Sequence, residues 1–342
     1  MKNDRFFRGP LYAVGRAVAL WCLAALNLLV SAPIQAQLAP GSSVRIGVVK
    51  IVAHAALDAD ERGFEEALAS AGFKEGVNVT YDRRNAGGDA SRAAAIAKEF
   101  AEGKYDLIHA IATPTAQAVV RATTRTPIVF SSVTDPVAAG LVPGDSAPGR
   151  KTGTNVTGVS DKWPVKLQME TYARFVPKAK LWGTVYNPGE ANSISHVAEM
   201  REAARSLGLT LIEVHATRGE DVEAAARSLV GRVQAIAITA DNTSVAHFDR
   251  IARVCNEAKI ALFAGDVDSV PRGAIAAYGM DYYLIGYSAG KKAALVLKGV
   301  KPGEISWGLM EKFSLVVNRK AALLQGVEIG PELLAKADKL ID

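Results

Sequence analysis

Two stretches decide the fold: Tyr105-Asp-Leu-Ile-His-Ala-Ile-Ala-Thr113 and Val233-Gln-Ala-Ile-Ala-Ile-Thr-Ala-Asp241. Each is a short apolar run that ends in a polar residue, which is typical of a strand buried on both faces of a parallel sheet. Outward from each stretch, short β-branched runs alternate with segments of helical periodicity, and glycines stand where the helices should end. This alternation predicts an α/β fold in which helices cover both faces of parallel sheets.

The order of elements around the two stretches is the same. In each half a strand leads to a helix that ends at glycine, a second strand follows, and Gly87-Gly88-Asp89 or Gly219-Glu220-Asp221 opens the next helix. We therefore predict two similar doubly wound lobes that face each other. The predicted strands are Ile46 to Ile51, Val77 to Tyr81, Leu107 to Ile111, Ile128 to Phe130, Leu181 to Tyr186, Leu211 to Val214, Ala235 to Ile238 and Ala261 to Phe263.

The first 36 residues have the order of a secretory signal peptide. A basic start is followed by an apolar run from Ala17 to Val30 and then by small residues that end at Ala36. We expect cleavage after Ala36, and hence a periplasmic or otherwise extracytoplasmic protein. Because the apolar run is shorter than the roughly 20 residues that a spanning helix needs, we expect the mature chain not to span a membrane.

Composition excludes several classes of protein. The chain has 342 residues with 40 basic and 35 acidic side chains, and removal of the leader leaves 36 basic and 34 acidic ones. This weak charge, without a basic stripe, argues against nucleic acid as a partner. Cys255 is the only cysteine of the mature chain, so the core must hold without an intramolecular disulfide. Neither metal-ligand spacing nor a dinucleotide motif is present, so we expect no metal and no cofactor.

Polar loops follow the predicted strands, where ligands bind in open parallel sheets. Three of these loops place a capping residue before proline, at Thr113-Pro114, Asp135-Pro136 and Asn187-Pro188. Proline suits the first helical position, so we predict that helices begin there and direct free N–H groups at the strand ends. Such helix ends attract carboxylates. The alternative is that these residues only cap their helices.

The repeat pairs unlike residues across the two lobes. Thr113 and Thr115 correspond to Asp241 and Thr243, while Ser132 falls near Asp266. Hydroxyl groups on one lobe suit a carboxylate, and acids on the other suit an ammonium, which together fit an amino-acid zwitterion. The alternatives are that the acids are solvated caps or bind sugar hydroxyls.

The candidate ligand-binding residues are therefore taken from the loops at the strand ends, and one or two aromatic residues near the loops should cover the ligand side chain. The ligand-binding candidates are His54, Ala55, Thr113, Thr115, Ser132, Thr134, Asp135, Asn187, Asn192, Asp241, Asn242 and Asp266. The aromatic candidates are Trp163, Tyr186, Tyr278, Tyr282 and Tyr283.

One motif suggests an enzyme instead. Gly286-Tyr287-Ser288-Ala289-Gly290 matches the G-x-S-x-G nucleophile elbow, which makes a serine hydrolase the leading catalytic alternative. In that fold the histidine follows the serine along the chain, and no histidine follows Ser288 here. We therefore predict that this helix packs closely against its neighbours and that the protein is not an enzyme.

Several further segments resemble one family. They are Ala55-Ala56-Leu57-Asp58, Ala112-Thr113-Pro114-Thr115-Ala116-Gln117, Pro127-Ile-Val-Phe-Ser-Ser-Val-Thr-Asp-Pro136, Asn155-Val-Thr-Gly-Val-Ser160, Tyr186-Asn-Pro-Gly-Glu-Ala-Asn-Ser193, Asp241-Asn242-Thr243 and Asp266-Val-Asp-Ser-Val270. On these segments, from about Val44 to the C-terminus, the chain resembles the ABC transporter substrate-binding family associated with tryptophan or tyrosine transport. That family has the type I periplasmic-binding fold. His54 is followed by Ala55 where family members often have proline.

The resemblance implies capture of an amino-acid-like ligand, with tryptophan as the leading candidate, in a cleft between two lobes. It also implies an ABC permease and its ATPase as partners, and we expect a monomer. A ligand-sensing subunit for a membrane receptor would need the same two lobes and cleft, and it remains an alternative. The implied hinge segments lie near residues 149 to 156, 281 to 284 and 300 to 309. The corresponding lobes are residues 44–149 with about 283–300, and residues 150–282 with about 301–342.

Overall fold

Two sheets carry the fold in the computed structural model, which describes residues 43–342; the expected signal peptide lies outside these residues. The strands in chain order are β1 (Val44–Lys50), β2 (Val79–Asn85), β3 (Leu107–Ile111), β4 (Ile128–Val133), β5 (Val156–Ser160), β6 (Leu181–Tyr186), β7 (Thr210–His215), β8 (Ala235–Ile238), β9 (Ala261–Ala264), β10 (Ala276–Gly279), β11 (Gly308–Leu309), β12 (Ser314–Asn318) and β13 (Lys339–Ile341). The helices are α1 (Ala55–Ser70), α2 (Ala90–Glu102), α3 (Thr113–Ala122), α4 (Val165–Phe175), α5 (Ala191–Ser206), α6 (Val222–Ser228), α7 (Asn242–Ala246), α8 (Phe248–Ala258), α9 (Tyr282–Leu297), α10 (Arg319–Leu324) and α11 (Pro331–Ala335).

The two sheets have the same strand order in their central parts. The first runs β11-β5-β4-β3-β1-β2 and the second runs β13-β12-β10-β9-β8-β6-β7. The first sheet is parallel throughout, whereas β12 pairs antiparallel with β10 in the second. The order 2-1-3-4-5 therefore recurs as 7-6-8-9-10, and it is one of the common doubly wound orders. The predicted fold class of two doubly wound α/β lobes is confirmed.

Apolar residues on both faces explain the central strands. Every residue of β3 is buried, and so is every residue of β8. The bounds of these two strands and of β6 are those predicted from the sequence, because continuous apolar runs specify strands with two covered faces. The other predicted strands shift at their ends by up to four residues. Strands β5, β10, β11, β12 and β13 were not predicted, and β5 is interrupted by polar and small residues.

Two of the three predicted helix starts at proline are wrong. Helix α3 does begin at Thr113, but Asp135-Pro136 opens a turn that the Asp135 carboxylate caps by accepting from the N–H groups of Val137 and Ala138. Asn187-Pro188 also forms a turn, and helix α5 starts later, at Ala191. Proline after a capping residue suits the second position of a β-turn as well as the first position of a helix, so the motif alone cannot separate them.

Glycines allow α1 and α9 to pack closely in the first lobe. A Cβ at Gly286 would lie 1.8 Å from the Asp60 carbonyl oxygen, and one at Gly290 would lie 2.4 Å from the Phe64 carbonyl oxygen. A Cβ at Gly63 would lie 2.1 Å from the Tyr283 carbonyl oxygen. The glycines of the G-x-S-x-G motif therefore serve helix packing, as predicted. Ser288 lies within α9 and not at the strand-to-helix turn that a nucleophile elbow requires.

The chain passes between the two sheets three times within the described residues. The crossings are 161–164 after β5, 280–281 before α9, and 310–313 between β11 and β12. The first and third crossings therefore lie beyond the segments expected near residues 149 to 156 and 300 to 309. Because β5 and β11 pair within the first sheet, residues 156–160 and 308–309 belong to that sheet, whereas the expected lobe limits assigned them to the second lobe. No helix of the described residues is long and apolar enough to cross a membrane.

Candidate functional site

A cavity of about 350 Å³ lies at the carboxyl ends of the parallel strands, with walls from both lobes. This is where the topology of open parallel sheets places ligands. The lining residues are His54, Ala56, Leu57, Thr113, Ser132, Thr134, Asp161, Trp163, Asn192, Ala240, Asp241, Asn242, Val245, Asp266 and Tyr282.

Most of the predicted site residues meet at this cavity. Eight line it, although sequence reasoning alone placed them on separate loops of two lobes. Their role in binding remains a prediction. The eight are His54, Thr113, Ser132, Thr134, Asn192, Asp241, Asn242 and Asp266.

Four predicted residues do not line the cavity. The hydroxyl group of Thr115 donates to the carbonyls of Ile111 and Ala112, and Asp135 caps its own turn. Ala55 is an exposed residue at the start of α1. Asn187 instead lines a neighbouring cavity of about 1150 Å³, where its Nδ2 group donates to the hydroxyl of Thr243 over 3.0 Å.

The first lobe presents hydroxyl groups on a strained backbone. The Thr113 hydroxyl is buried at the start of α3 and has no hydrogen-bond partner within the described residues. Its neighbour Ala112 has φ 78°, and Ser132 at the end of β4 has φ 53°. A non-glycine residue in this region costs roughly 1–3 kcal/mol, and such residues cluster at ligand sites. Both unusual φ angles therefore occur at or next to residues that line the cavity, Thr113 and Ser132.

A buried carboxyl group lies directly behind this wall. Asp60 of α1 is fully buried and accepts hydrogen bonds from the hydroxyls of Ser131, over 2.8 Å, and Ser132. The Ser131 hydroxyl also lies 2.7 Å from Nε2 of His109, whose ring stacks on Phe64 with 3.6 Å between centroids. Burial raises the pKa of Asp60 to about 7, although the two serine hydroxyls oppose that rise. Burial also lowers the pKa of His109 to about 3, so this imidazole is neutral.

The second lobe and the first crossing present carboxyl groups. Asp241 caps α7 through the N–H of Ser244, and Asp266 caps the short helical turn Val267–Ser269. Asp161, in the crossing after β5, accepts from the Tyr282 hydroxyl over 2.6 Å. Burial raises the pKa of all three, to about 6 for Asp161. No lysine or arginine of the described chain lines the cavity. A cationic group on a ligand would offset these buried charges.

Two aromatic side chains complete the cavity. Trp163 and Tyr282 line it, whereas the other three aromatic candidates do not. The Trp163 ring lies over Gly265, where a Cβ would come within 1.6 Å of the indole, and it stacks on the buried ring of His196 with 5.0 Å between centroids. Glycine at position 265 is therefore required for this orientation of the indole. The two rings give the cavity an apolar surface for a flat side chain.

Sequence reasoning missed three acids at the site: Asp60, Asp161 and Glu190. A sequence pattern marks the first, because Asp60 falls in the apolar stripe of α1 between Leu57 and Phe64, a position that the fold buries. Asp161 directly follows β5 and would have been found if that strand had been predicted. Glu190 precedes α5, and burial and the nearby Asp241 carboxylate raise its pKa to about 7. No local pattern distinguishes Glu190 from a solvated cap.

Comparison with known proteins identifies the family of this chain. The model of the family described as ABC transporter substrate binding protein matches residues 45–341. The chain belongs to this family. A relative, the Tyrosine-binding protein of Clostridioides difficile (strain R20291), is 37% identical over 273 residues, which cover 80% of this chain and 78% of the relative. The resemblance seen in the sequence is thereby confirmed.

Two solved structures of similar sequence differ in how well they superpose. An ABC domain from Streptococcus pneumonia in complex with L-Trp gives a TM-score of 0.83 at 31% identity, covering 88% of this chain and 100% of that one. A ligand-free, open substrate binding protein with adhesive properties from Clostridium difficile gives 0.64 at 34% identity, covering 87% and 99%. This substrate-binding protein therefore superposes better on the L-Trp complex than on the open structure.

Proposed function

We propose that this substrate-binding protein captures an aromatic amino acid, with tryptophan as the leading candidate, in the cavity between its lobes. The observation that carries the proposal is the division of the cavity walls. Hydroxyl groups and the N-terminus of α3 face it from the first lobe, and carboxyl groups face it from the second lobe and from Asp161. A zwitterion with a flat side chain satisfies both walls, because each charged end finds groups of complementary polarity.

In this assignment the ligand carboxylate lies against Thr113 and Ser132, and its ammonium lies near Asp241 and Asp266. The Thr134 hydroxyl lies between these two ends and donates to Asp161 over 3.3 Å. The free N–H groups and positive dipole end of α3 favour the carboxylate. Asp161 joins the acidic side as a residue that the sequence did not indicate. Trp163 and Tyr282 contact the side chain. The names of the tyrosine-binding relative and of the L-Trp complex support the same class of ligand.

The biological role follows from the family and the expected leader. We place the mature protein outside the cytoplasm, as a monomer that delivers its ligand to an ABC permease and the associated ATPase. It performs no catalysis in this role. The position of Ser288 inside α9 argues against the serine hydrolase alternative, because a nucleophile elbow places its serine at a strand-to-helix turn.

The ligand can be identified directly. Native mass spectrometry of protein purified without denaturation should reveal a bound aromatic amino acid. Calorimetry on protein that has been unfolded, dialysed and refolded should then show binding of L-tryptophan or L-tyrosine and none of D-galactose. If no aromatic amino acid binds, the proposal fails, and binding of a sugar alone would reassign the acids to hydroxyl recognition.

A further inference from the structure

Glu190 is buried between two asparagines that line the cavity. Its side chain does not line the cavity itself, yet Glu190 is 8% exposed, Asn242 is 8% exposed and Asn192 is 4% exposed. The Nδ2 groups of Asn192 and Asn242 donate to Oε2 of Glu190 over 3.0 and 2.5 Å. The other oxygen, Oε1, accepts from the hydroxyl of Thr243 over 3.0 Å. The carboxylate thus holds the start of α5 against the start of α7.

These contacts determine which way the Asn192 amide is turned. Its Nδ2 group also donates to the Ala240 carbonyl over 2.5 Å and lies 3.4 Å from the Ser193 hydroxyl, whose own proton is donated to Asp241. The reversed amide would place Oδ1 against a carboxylate and a carbonyl, two groups that cannot donate. Oδ1 of Asn192 is buried and has no partner within the described residues. Glu190 and the Ala240 carbonyl together therefore leave an unpaired acceptor on Asn192, a residue that lines the cavity.

A free acceptor beside carboxyl groups selects for a donor. Asn192 lines the cavity together with Asp241 and Asp266, so this side offers acceptors and no cationic side chain. An ammonium group supplies N–H donors and charge, whereas a ligand without the amine would leave Oδ1 of Asn192 unpaired. Because an unpaired buried polar group destabilises the complex, we expect a selectivity of about tenfold or more for the ligand that carries the amine.

We propose that Glu190 is a positioning residue for ligand selectivity: by holding the Asn192 amide with its oxygen available to the cavity, it makes the site require an α-ammonium group. This inference rests on the proposed function, since it concerns the amine of an amino-acid ligand. It goes beyond stabilisation of helix ends, because a stabilising role alone would affect amine-bearing and amine-free ligands alike.

The test compares L-tryptophan with indole-3-propionate, which has the same ring and carboxylate but no amine. Calorimetry or competition at about pH 8, where Glu190 is ionised, gives the ratio of the two affinities. Glu190→Gln keeps the side-chain shape but removes the charge and one of the two acceptor oxygens, so a single oxygen must replace the two that accept from Asn192, Asn242 and Thr243. We expect L-tryptophan to bind about tenfold more weakly and indole-3-propionate to change by less than about twofold. Equal losses for both ligands would overturn the proposal, as would unchanged selectivity.

Two further variants separate positioning from stability. Asn192→Leu removes the acceptor and should also lower the selectivity; adding Glu190→Gln to this variant should reduce it no further, as expected for coupled residues. A full additional loss of selectivity would show that Glu190 does not act through Asn192. The control is Glu213→Gln, which changes the same residue type in an exposed ion pair with Arg201 and should leave the ratio unchanged.

The variants also distinguish the two proposals. If Glu190→Gln does not fold, as judged by circular dichroism, Asn192→Leu alone decides, because retained selectivity in that variant contradicts the inference. If the wild-type protein binds neither L-tryptophan nor L-tyrosine, the proposed function fails and the inference falls with it. If the wild-type protein binds L-tryptophan and both variants keep its selectivity, only the inference fails.

Discussion

At the scale of single residues, buried carboxyl groups govern the cavity, and their surroundings set the pH at which each is charged. Asp60 touches Ser132 from behind the hydroxyl wall, and burial raises its pKa to about 7. Asp161 faces the cavity, and burial raises its pKa to about 6. His109, whose ring contacts the Ser131 hydroxyl beside Asp60, is neutral between pH 6 and 7 because burial lowers its pKa to about 3. A ligand therefore meets a site whose charge changes near neutral pH.

The first prediction concerns Asp60. Above about pH 7 the Asp60 carboxyl loses its proton, so the Ser132 hydroxyl must donate to it and a negative charge stands behind the ligand carboxylate. Relative to the affinity of Asp60→Asn at the same pH, we expect the affinity of the wild-type protein for L-tryptophan to fall as the pH rises through 7, by at most about tenfold per pH unit. Calorimetry on both proteins between pH 6.5 and 8.5 gives this ratio, in which the ionisation of Glu190 cancels because both proteins carry Glu190. The control Asp58→Asn, on the exposed side of the same helix, should behave as the wild-type protein does; a ratio that does not change with pH would contradict the assignment.

The second prediction concerns the ammonium partner. Asp266→Asn keeps an oxygen to cap Ser269 but removes the charge, so we expect affinity for L-tryptophan to fall by more than about tenfold with little loss of stability. Asp241→Asn is a poorer test, because three donors already occupy the two carboxylate oxygens of Asp241. The NH2 group of the substituted side chain would face at least one of these donors. Asp221→Asn, which changes the same residue type in an exposed ion pair with Arg218 outside the cavity lining, is the control. Unchanged affinity in Asp266→Asn would remove this residue from the site.

Sequence could identify residues of the site but not their partners. Thr113, Asp241 and Asp266 were predicted because they follow buried strands, and the fold brings their loops to one cavity. Glu190 could not be predicted, since its burial depends on α7, which lies about 50 residues further along the chain. The same holds for the link between Asp60 and Ser132, which are 72 residues apart. Contacts between distant elements therefore set the charges and orientations in the site.

At the scale of elements, buried strands were predicted more reliably than helix starts. The apolar runs of β3, β6 and β8 specified their bounds, because parallel strands in a covered sheet need apolar side chains on both faces. Proline after a capping residue located α3 correctly but also marked two turns. Strand β5 contains threonine, glycine and serine among its five residues and is buried only by the first lobe as a whole. The hinge segment that the family resemblance implied near residues 149 to 156 therefore overlaps the start of β5, and the observed crossing follows that strand.

The third prediction tests the packing of α1 against α9. Gly286→Ala would place a methyl group against the Asp60 carbonyl, so we expect the free energy of unfolding to fall by about 3 kcal/mol, at the upper end of typical overpacking costs. Ser288→Ala in the same helix should change it by less than about 0.5 kcal/mol and should leave ligand binding intact. Urea denaturation measures the free energy of unfolding of both variants, and calorimetry measures their ligand binding. A loss of ester hydrolysis in Ser288→Ala would instead restore the enzyme alternative.

At the scale of the whole molecule, residues 43–342 form two lobes of the same strand order that are joined by three crossing segments, and the candidate cavity has lining residues from both lobes. The first lobe contributes the hydroxyl groups of Thr113 and Ser132, and the second contributes Asp241 and Asp266, so the proposed partners of the two ends of a zwitterion come from different lobes. Binding should therefore link the lobes energetically, because the ligand contacts exist only when both walls are present. The free energy of unfolding of the two-lobed protein should therefore rise when the ligand binds.

The fourth prediction measures this link. A ligand that binds only the folded protein at about 100 times its Kd stabilises it by about 2.7 kcal/mol. For a chain of about 300 residues this corresponds to a rise in Tm of about 4 °C. Differential scanning calorimetry with L-tryptophan should show this rise, and D-galactose should show none. The absence of a shift at saturating L-tryptophan would contradict binding in the cavity.

The close pairing of α1 with α9 also bears on how the chain assembles during synthesis. The two helices meet through glycines, but α9 begins more than 200 residues after the start of α1, and most of the second lobe lies between them. When the ribosome has delivered β1 to β5, the face of α1 around Gly63 and Phe64 still lacks its covering helix. Long-range contacts of this kind slow folding and leave apolar surface exposed in intermediates. The first lobe to be translated thus completes its core only after most of the second lobe has been made.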